Sequence, residues 1–113
     1  MTIKELIDRQ EMSSGTNRFY GIQATVRKFL FFKKKYIAIN PLRENTPMNA
    51  CKEVMSQMTQ AERAKATYRA FMVTVEVFGW SGGKPICKIG VPSLWRKWDY
   101  KTLTEKAKEW QNF

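Results

Sequence analysis

The most constraining feature of the sequence is a long period-two run that ends in a glycine turn. Between Tyr68 and Trp80 apolar residues alternate, with Phe71 and three valines on one face and more polar positions on the other. Ser81-Gly82-Gly83 is typical of a tight turn, and Lys84–Val91 provides a returning run. This part of the chain therefore predicts an antiparallel hairpin.

A second pair of extended runs lies nearer the N-terminus. Arg18–Phe29 and Lys35–Asn40 both alternate, and an apolar and then basic connection, Leu30–Lys34, joins them. The pattern is compatible with a hairpin or with one bent strand.

Three segments have helical patterns. Thr2 and Glu5 form a capping-box pattern that predicts a short helix over 3–11. Pro47 at a first helical position, followed by apolar residues at spacings of three and four, predicts a helix over about 47–64. The tail from about Leu94 predicts an amphipathic helix. Sequential strand pairs with interspersed helices indicate one α+β domain over residues 1–113, with a small, antiparallel, strongly bent or barrel-like sheet and a central and a C-terminal helix.

Charge is the strongest functional signal. The 113 residues contain 20 Lys and Arg against 10 Asp and Glu, which gives a formal net charge of +10. Such an excess attracts polyanions, so a nucleic acid is the favoured partner. An acidic protein partner, or a basic surface without a charged partner, is also compatible with the composition.

Basic and aromatic residues are concentrated in one acid-free window, Met12 to Arg43, which holds seven of the cations. Cations on a strand pair can neutralise phosphates, and rings between them can stack on bases. The predicted phosphate contacts are Arg18, Arg27, Lys28, Lys33, Lys34 and Lys35, and the predicted stacking residues are Phe19, Phe29 and Tyr36. Trp95 and Trp98, beside further cations, are candidates for a protein interface or for the core.

Several kinds of chemistry find little support in the sequence. Histidine is absent, which removes the commonest general base and transition-metal ligand, and Cys51 and Cys87 form neither a disulfide framework nor a metal motif. We therefore expect a non-enzymatic protein without a metal site or cofactor. No apolar run approaches the ~20 residues that span a bilayer, and the first residues lack a signal peptide's apolar block. An intracellular location, in the cytoplasm or nucleus, without membrane association is the expectation.

Three stretches resemble a known family. They are Thr2–Leu6, Tyr20–Val26, and Tyr68-Arg69 leading into Val73-Thr74-Val75. Together, over about residues 2–92, they resemble the oligonucleotide-binding (OB) folds of the replication protein A large subunit. The resemblance implies an OB-like barrel. It also implies single-stranded DNA or RNA lying across the two N-terminal strands.

The leading hypothesis is thus a non-enzymatic protein that binds nucleic acid, preferably single-stranded, through a basic aromatic hairpin. The alternative is a small viral or mobile-element protein that binds and modulates an acidic host protein. A basic structural subunit of a nucleoprotein assembly is a third interpretation. Composition distinguishes neither DNA from RNA nor one oligomeric state from another.

Overall fold

The computed structural model describes residues 2–41 and 44–111 and has the α+β architecture that the sequence predicts. In chain order the elements are α1 (Ile3–Asp8), β1 (Gly15–Phe29), β2 (Phe32–Ile39), α2 (Met48–Ser56), α3 (Gln60–Lys65), β3 (Thr67–Ser81), β4 (Lys84–Ile89), β5 (Ser93–Trp98) and α4 (Tyr100–Trp110). Among these described helices, none is long and apolar enough to cross a membrane.

All five strands belong to one antiparallel sheet in the order β2-β1-β3-β4. The far edge of β3 is shared, because β4 pairs with its second half and β5 with its first half. The sheet is strongly curled into a half-barrel, which is consistent with an OB-like fold. The predicted hairpin of β3 and β4 is present. Of the two alternatives for the N-terminal runs, the structure has the hairpin, which closes through a short turn at Leu30-Phe31.

The strand alternation sends side chains of β1 to two different cores. Ile22, Ala24 and Val26 lie on the face covered by α2 and α4, which we call the helical face. Phe19 lies on the opposite face, where it packs with Ile7 of α1. We call this second face the open face, because the short helix α1 covers only one end of it. The uncovered remainder is where the candidate site lies.

Two features lock the packing around β1. Gly21 lies beneath the Phe71 ring, and a Cβ atom there would come within 2.3 Å of the Phe71 Cζ atom. Asn40, fully buried, accepts a hydrogen bond at 2.5 Å from the Ala50 N–H near the start of α2 and donates one to the Thr46 carbonyl. Asn40 thereby supplies the capping acceptor that α2 lacks locally, since no side chain caps the helix at Pro47.

Three helix predictions differ from the structure. The helix expected over 47–64 is divided into α2 and α3, because Thr59 forms a reciprocal capping box with Glu62 and starts a new helix. The expected helix from about Leu94 is wrong at its start: Ser93–Trp98 is a strand, and α4 begins after Asp99, whose carboxylate accepts a hydrogen bond from the Thr102 N–H. The short N-terminal helix begins as predicted, after Thr2, but ends earlier, at Asp8.

Candidate functional site

A groove of about 620 Å³ occupies the part of the open face that α1 leaves uncovered. Its walls come from β1, β2, β3, β5 and the end of α3. The lining residues are Gln23, Thr25, Arg27, Lys33, Lys35, Lys65, Thr67, Arg69, Leu94 and Lys97. Six of them are cations and none of these described residues is acidic, so the groove carries charge of a single sign.

The strand register places like charges directly opposite each other in this groove. Arg27 of β1 faces Lys33 of β2, and Arg69 of β3 faces Lys97 of β5. Directly opposed like charges destabilise a sheet. Two such pairs on one face are a local cost to the fold, and an anionic ligand would relieve it by neutralising the opposed charges. Sequences break local rules of this kind mainly at functional sites.

In the part of the chain that the structure describes, no ion pair neutralises a groove cation. Within residues 2–41 and 44–111 the ion pairs are Lys28–Glu62 at 2.6 Å and Lys106–Glu109 at 3.5 Å, and neither involves a groove residue. Except for the half-buried Arg69, the groove cations are exposed to solvent. Their charges are therefore available to a ligand.

Arg69 is held in place by the backbone of β5. Its Nε donates a hydrogen bond at 2.6 Å to the Trp95 carbonyl oxygen. A bulge lies at this point, where Arg69 and Phe71 pair with Lys97 and Leu94, so two residue steps on β3 oppose three on β5. The bulge thus anchors the guanidinium at the floor of the groove.

The same bulge directs both β5 tryptophans to the helical face. The Trp95 ring lies 6.3 Å from that of Tyr20 and 6.1 Å from that of Trp98, and the Trp98 ring lies 5.9 Å from that of Trp110. Trp95 and Trp98 are half-buried and pack against the core. Their assignment to a protein interface stays a prediction, but both have a clear structural role.

The structure brings three of the predicted binding residues, Arg27, Lys33 and Lys35, together in the groove. The stacking prediction is wrong for two residues, whose rings are buried. Phe19 is only 1% exposed because α1 covers it, and Tyr36 is 8% exposed because its ring enters the core of the helical face. Neither ring is accessible to a base.

The remaining predicted residues lie outside the groove. Lys34 stands 4.9 Å from the centroid of the Tyr36 ring, and Arg18 lines a separate cavity with Tyr20. Phe29 is 69% exposed at the end of the hairpin. Arg43, the last residue of the acid-free window, lies outside the described residues.

Lys28 and Tyr36 join the hairpin to α3 through Glu62. The Glu62 carboxylate accepts hydrogen bonds from Lys28 Nζ at 2.6 Å and from the Tyr36 hydroxyl at 2.5 Å, and from the Thr59 N–H at 3.0 Å. These donors, Lys28 first and Tyr36 second, lower the pKa of Glu62 to about 2. The carboxylate is therefore ionised at neutral pH and is committed to holding the hairpin in place.

Half of the groove cations, Lys65, Arg69 and Lys97, lie outside the acid-free window and were missed. Arg69 and Phe71 share a strand face, so the sequence alternation could have placed Arg69 on the open face. No local sequence pattern indicates that Lys97 lies beside Arg69 in the groove, because the pairing of β3 with β5 is long-range.

The described residues offer little to a metal or a nucleophilic mechanism. They contain no cluster of three or more His, Cys, Asp or Glu residues that could hold a metal ion. Cys51 is buried, and its burial raises the pKa of the thiol to about 11. The thiol is thus protonated at neutral pH and is a poor nucleophile.

No protein-family model matches the chain, and neither the curated proteins nor the solved structures contain a significant match. The fold and the groove are therefore the observations from which a function can be inferred. Together they define a small curled-sheet α+β protein with a single-sign basic groove on one face of the sheet.

Proposed function

We propose that this protein is a non-enzymatic nucleic-acid-binding protein whose groove holds the phosphate backbone. The observation that carries the proposal is the set of six cations that line the groove, five on strands of the sheet and Lys65 at the end of α3. Within residues 2–41 and 44–111 none of the six has an ion-pair partner, and no acidic residue is part of the lining. Phosphate contacts from Lys and Arg release counterions, and this release supplies most sequence-independent affinity.

The polar floor of the groove supports the same interpretation. Gln23, Thr25 and Thr67 lie between the cations and can donate side-chain hydrogen bonds to phosphate oxygens. Same-face residues along a strand are about 7 Å apart, and neighbouring strands about 5 Å apart. The groove therefore presents a two-dimensional array of donors, which suits an extended chain of anions better than a single small one.

The test compares two probes of one base sequence. Fluorescence anisotropy at low salt is measured with a mixed-sequence oligonucleotide and with a peptide nucleic acid, whose backbone carries no phosphate. We expect salt-sensitive binding of the oligonucleotide and none of the peptide nucleic acid. Equal binding of both probes, or binding of neither, would refute the proposal. A poly-glutamate peptide serves as the acidic-protein control, and its binding in preference to the oligonucleotide would favour the alternative partner.

A further inference from the structure

The turn of the first hairpin exposes four consecutive large apolar side chains. We call residues Phe29–Phe32 the hairpin tip. Their exposed fractions are 69% for Phe29, 74% for Leu30, 93% for Phe31 and 71% for Phe32. A contiguous apolar surface of this kind on a small protein is typical of a contact site.

The hairpin tip emerges directly from the basic end of the groove. Arg27 and Lys33 form the next registered pair after Phe29 and Phe32, two residues away along β1, or about 7 Å. A polyanion that contacts the Arg27–Lys33 pair therefore brings its other groups to the tip. Charge complementarity thus selects the kind of molecule that the apolar residues meet.

The groove itself offers no stacking surface. No aromatic side chain from the described part of the chain lines it, and its floor consists of polar and cationic residues apart from Leu94. Phosphates would therefore lie in the groove, while the strand register places the exposed rings of the tip directly beside the Arg27–Lys33 pair. The groove would then hold the backbone, and the hairpin tip would contact the bases.

We propose that the hairpin tip inserts between neighbouring bases of the strand whose backbone lies in the groove. This inference rests on the proposed function. The ligand is then a nucleic acid with unpaired bases, either a single strand or a duplex interrupted by a bulge. Apolar side chains of this size can wedge between bases, and an unpaired base is the least costly to unstack. A continuous duplex must first be opened, so it gains little from the tip.

The experiment uses variants of the tip and a matched control. Phe29→Ala and Phe31→Ala are made singly and together. Phe78→Ala is the control, because Phe78 has the same 69% exposure as Phe29 but lies on the other hairpin, outside the groove lining. Each protein is titrated, at one salt concentration, with a single strand, a bulged duplex and a continuous duplex of the same sequence. The single strand carries a 2-aminopurine whose fluorescence reports unstacking.

We expect the double tip variant to bind the single strand and the bulged duplex about tenfold to a hundredfold more weakly, as loss of stacking on one or two bases implies. Its affinity for the continuous duplex and its salt dependence should match those of the wild type. The change in 2-aminopurine fluorescence that accompanies binding should disappear. The Phe78→Ala control should behave as the wild type. Equal losses for all three probes, or no loss, would overturn the proposal.

Two other outcomes separate this inference from the proposed function. Wild-type protein that binds none of the probes would refute both. Nucleic-acid binding that is unchanged in the tip variants, combined with loss of their binding to phosphatidylserine vesicles, would show that the tip contacts a membrane surface and would overturn the inference alone.

Discussion

Removing half of the charge from the groove should halve the salt dependence of nucleic-acid binding. The change is Lys33→Gln, Lys35→Gln and Lys97→Gln, which removes three of the six groove cations from exposed positions. Each phosphate contact with a single strand contributes about −0.7 to the slope of log K against log salt. Six contacts give a slope of about −4, and three give about −2.

The same relation predicts the loss of affinity. At ~0.1 M salt each contact contributes about 0.7 decades of affinity, so three lost contacts weaken binding about 100-fold. The matched control is Lys84→Gln, Lys101→Gln and Lys108→Gln, which removes the same charge from exposed positions outside the groove. The assay is anisotropy with a single-stranded oligonucleotide over a series of salt concentrations.

The control distinguishes a located site from a general effect of net charge. We expect the control variant to keep the wild-type slope and to lose little affinity at the higher salt concentrations, where distant charges are screened. Equal slopes and equal losses in the two triple variants would refute the reasoning, because they would mean that overall charge, and no particular groove, attracts the nucleic acid.

Three further predictions concern what holds the groove in shape. Gly21→Ala should lower the free energy of unfolding by about 1–3 kcal/mol, measured by urea denaturation, because a Cβ atom there overlaps the Phe71 ring; an unchanged midpoint would contradict this packing. Asn40→Ala should cost about 1–3 kcal/mol in the same assay, since it leaves the Ala50 N–H and the Thr46 carbonyl without their partner. Glu62→Gln should destabilise the fold at neutral pH and less in acid. The folded-state pKa of Glu62 is lowered from 4.5 to about 2, so its contribution is present above pH 4.5 and lost as the pH falls toward 2. A difference between wild type and Glu62→Gln that stays constant over this range would contradict the role of Glu62.

The two extended runs of the first hairpin and their polar face could be predicted from local pattern alone, although that pattern was also compatible with one bent strand. Gln23, Thr25 and Arg27 alternate with buried residues of β1, and this period-two signal places them on one face. Phe19 belongs to the same face and was therefore expected to be exposed. It is buried because α1 packs over that end of the sheet, and where a helix docks is a tertiary property that strand alternation does not contain.

The side of the groove formed by β5 could not be predicted, for a different reason. Trp95 and Trp98 are three residues apart, which is a helical spacing, and the segment was expected to be helical. In the structure a bulge against β3 turns both rings to one face of a strand. Once that strand was mistaken for a helix, its Lys97 could not be placed opposite Arg69, and so the side of the groove formed by β5 was missed.

The central claim is that nucleic acid occupies the open face of the sheet, and backbone amide chemical shifts during titration with an oligonucleotide test it most directly. We predict the largest shift changes at the groove residues of the sheet, such as Thr25, Lys35 and Arg69, and at the hairpin tip. Residues of α2 and α4, on the helical face, should change little. Shift changes that are largest on α2 and α4, or spread evenly over both faces, would contradict the account.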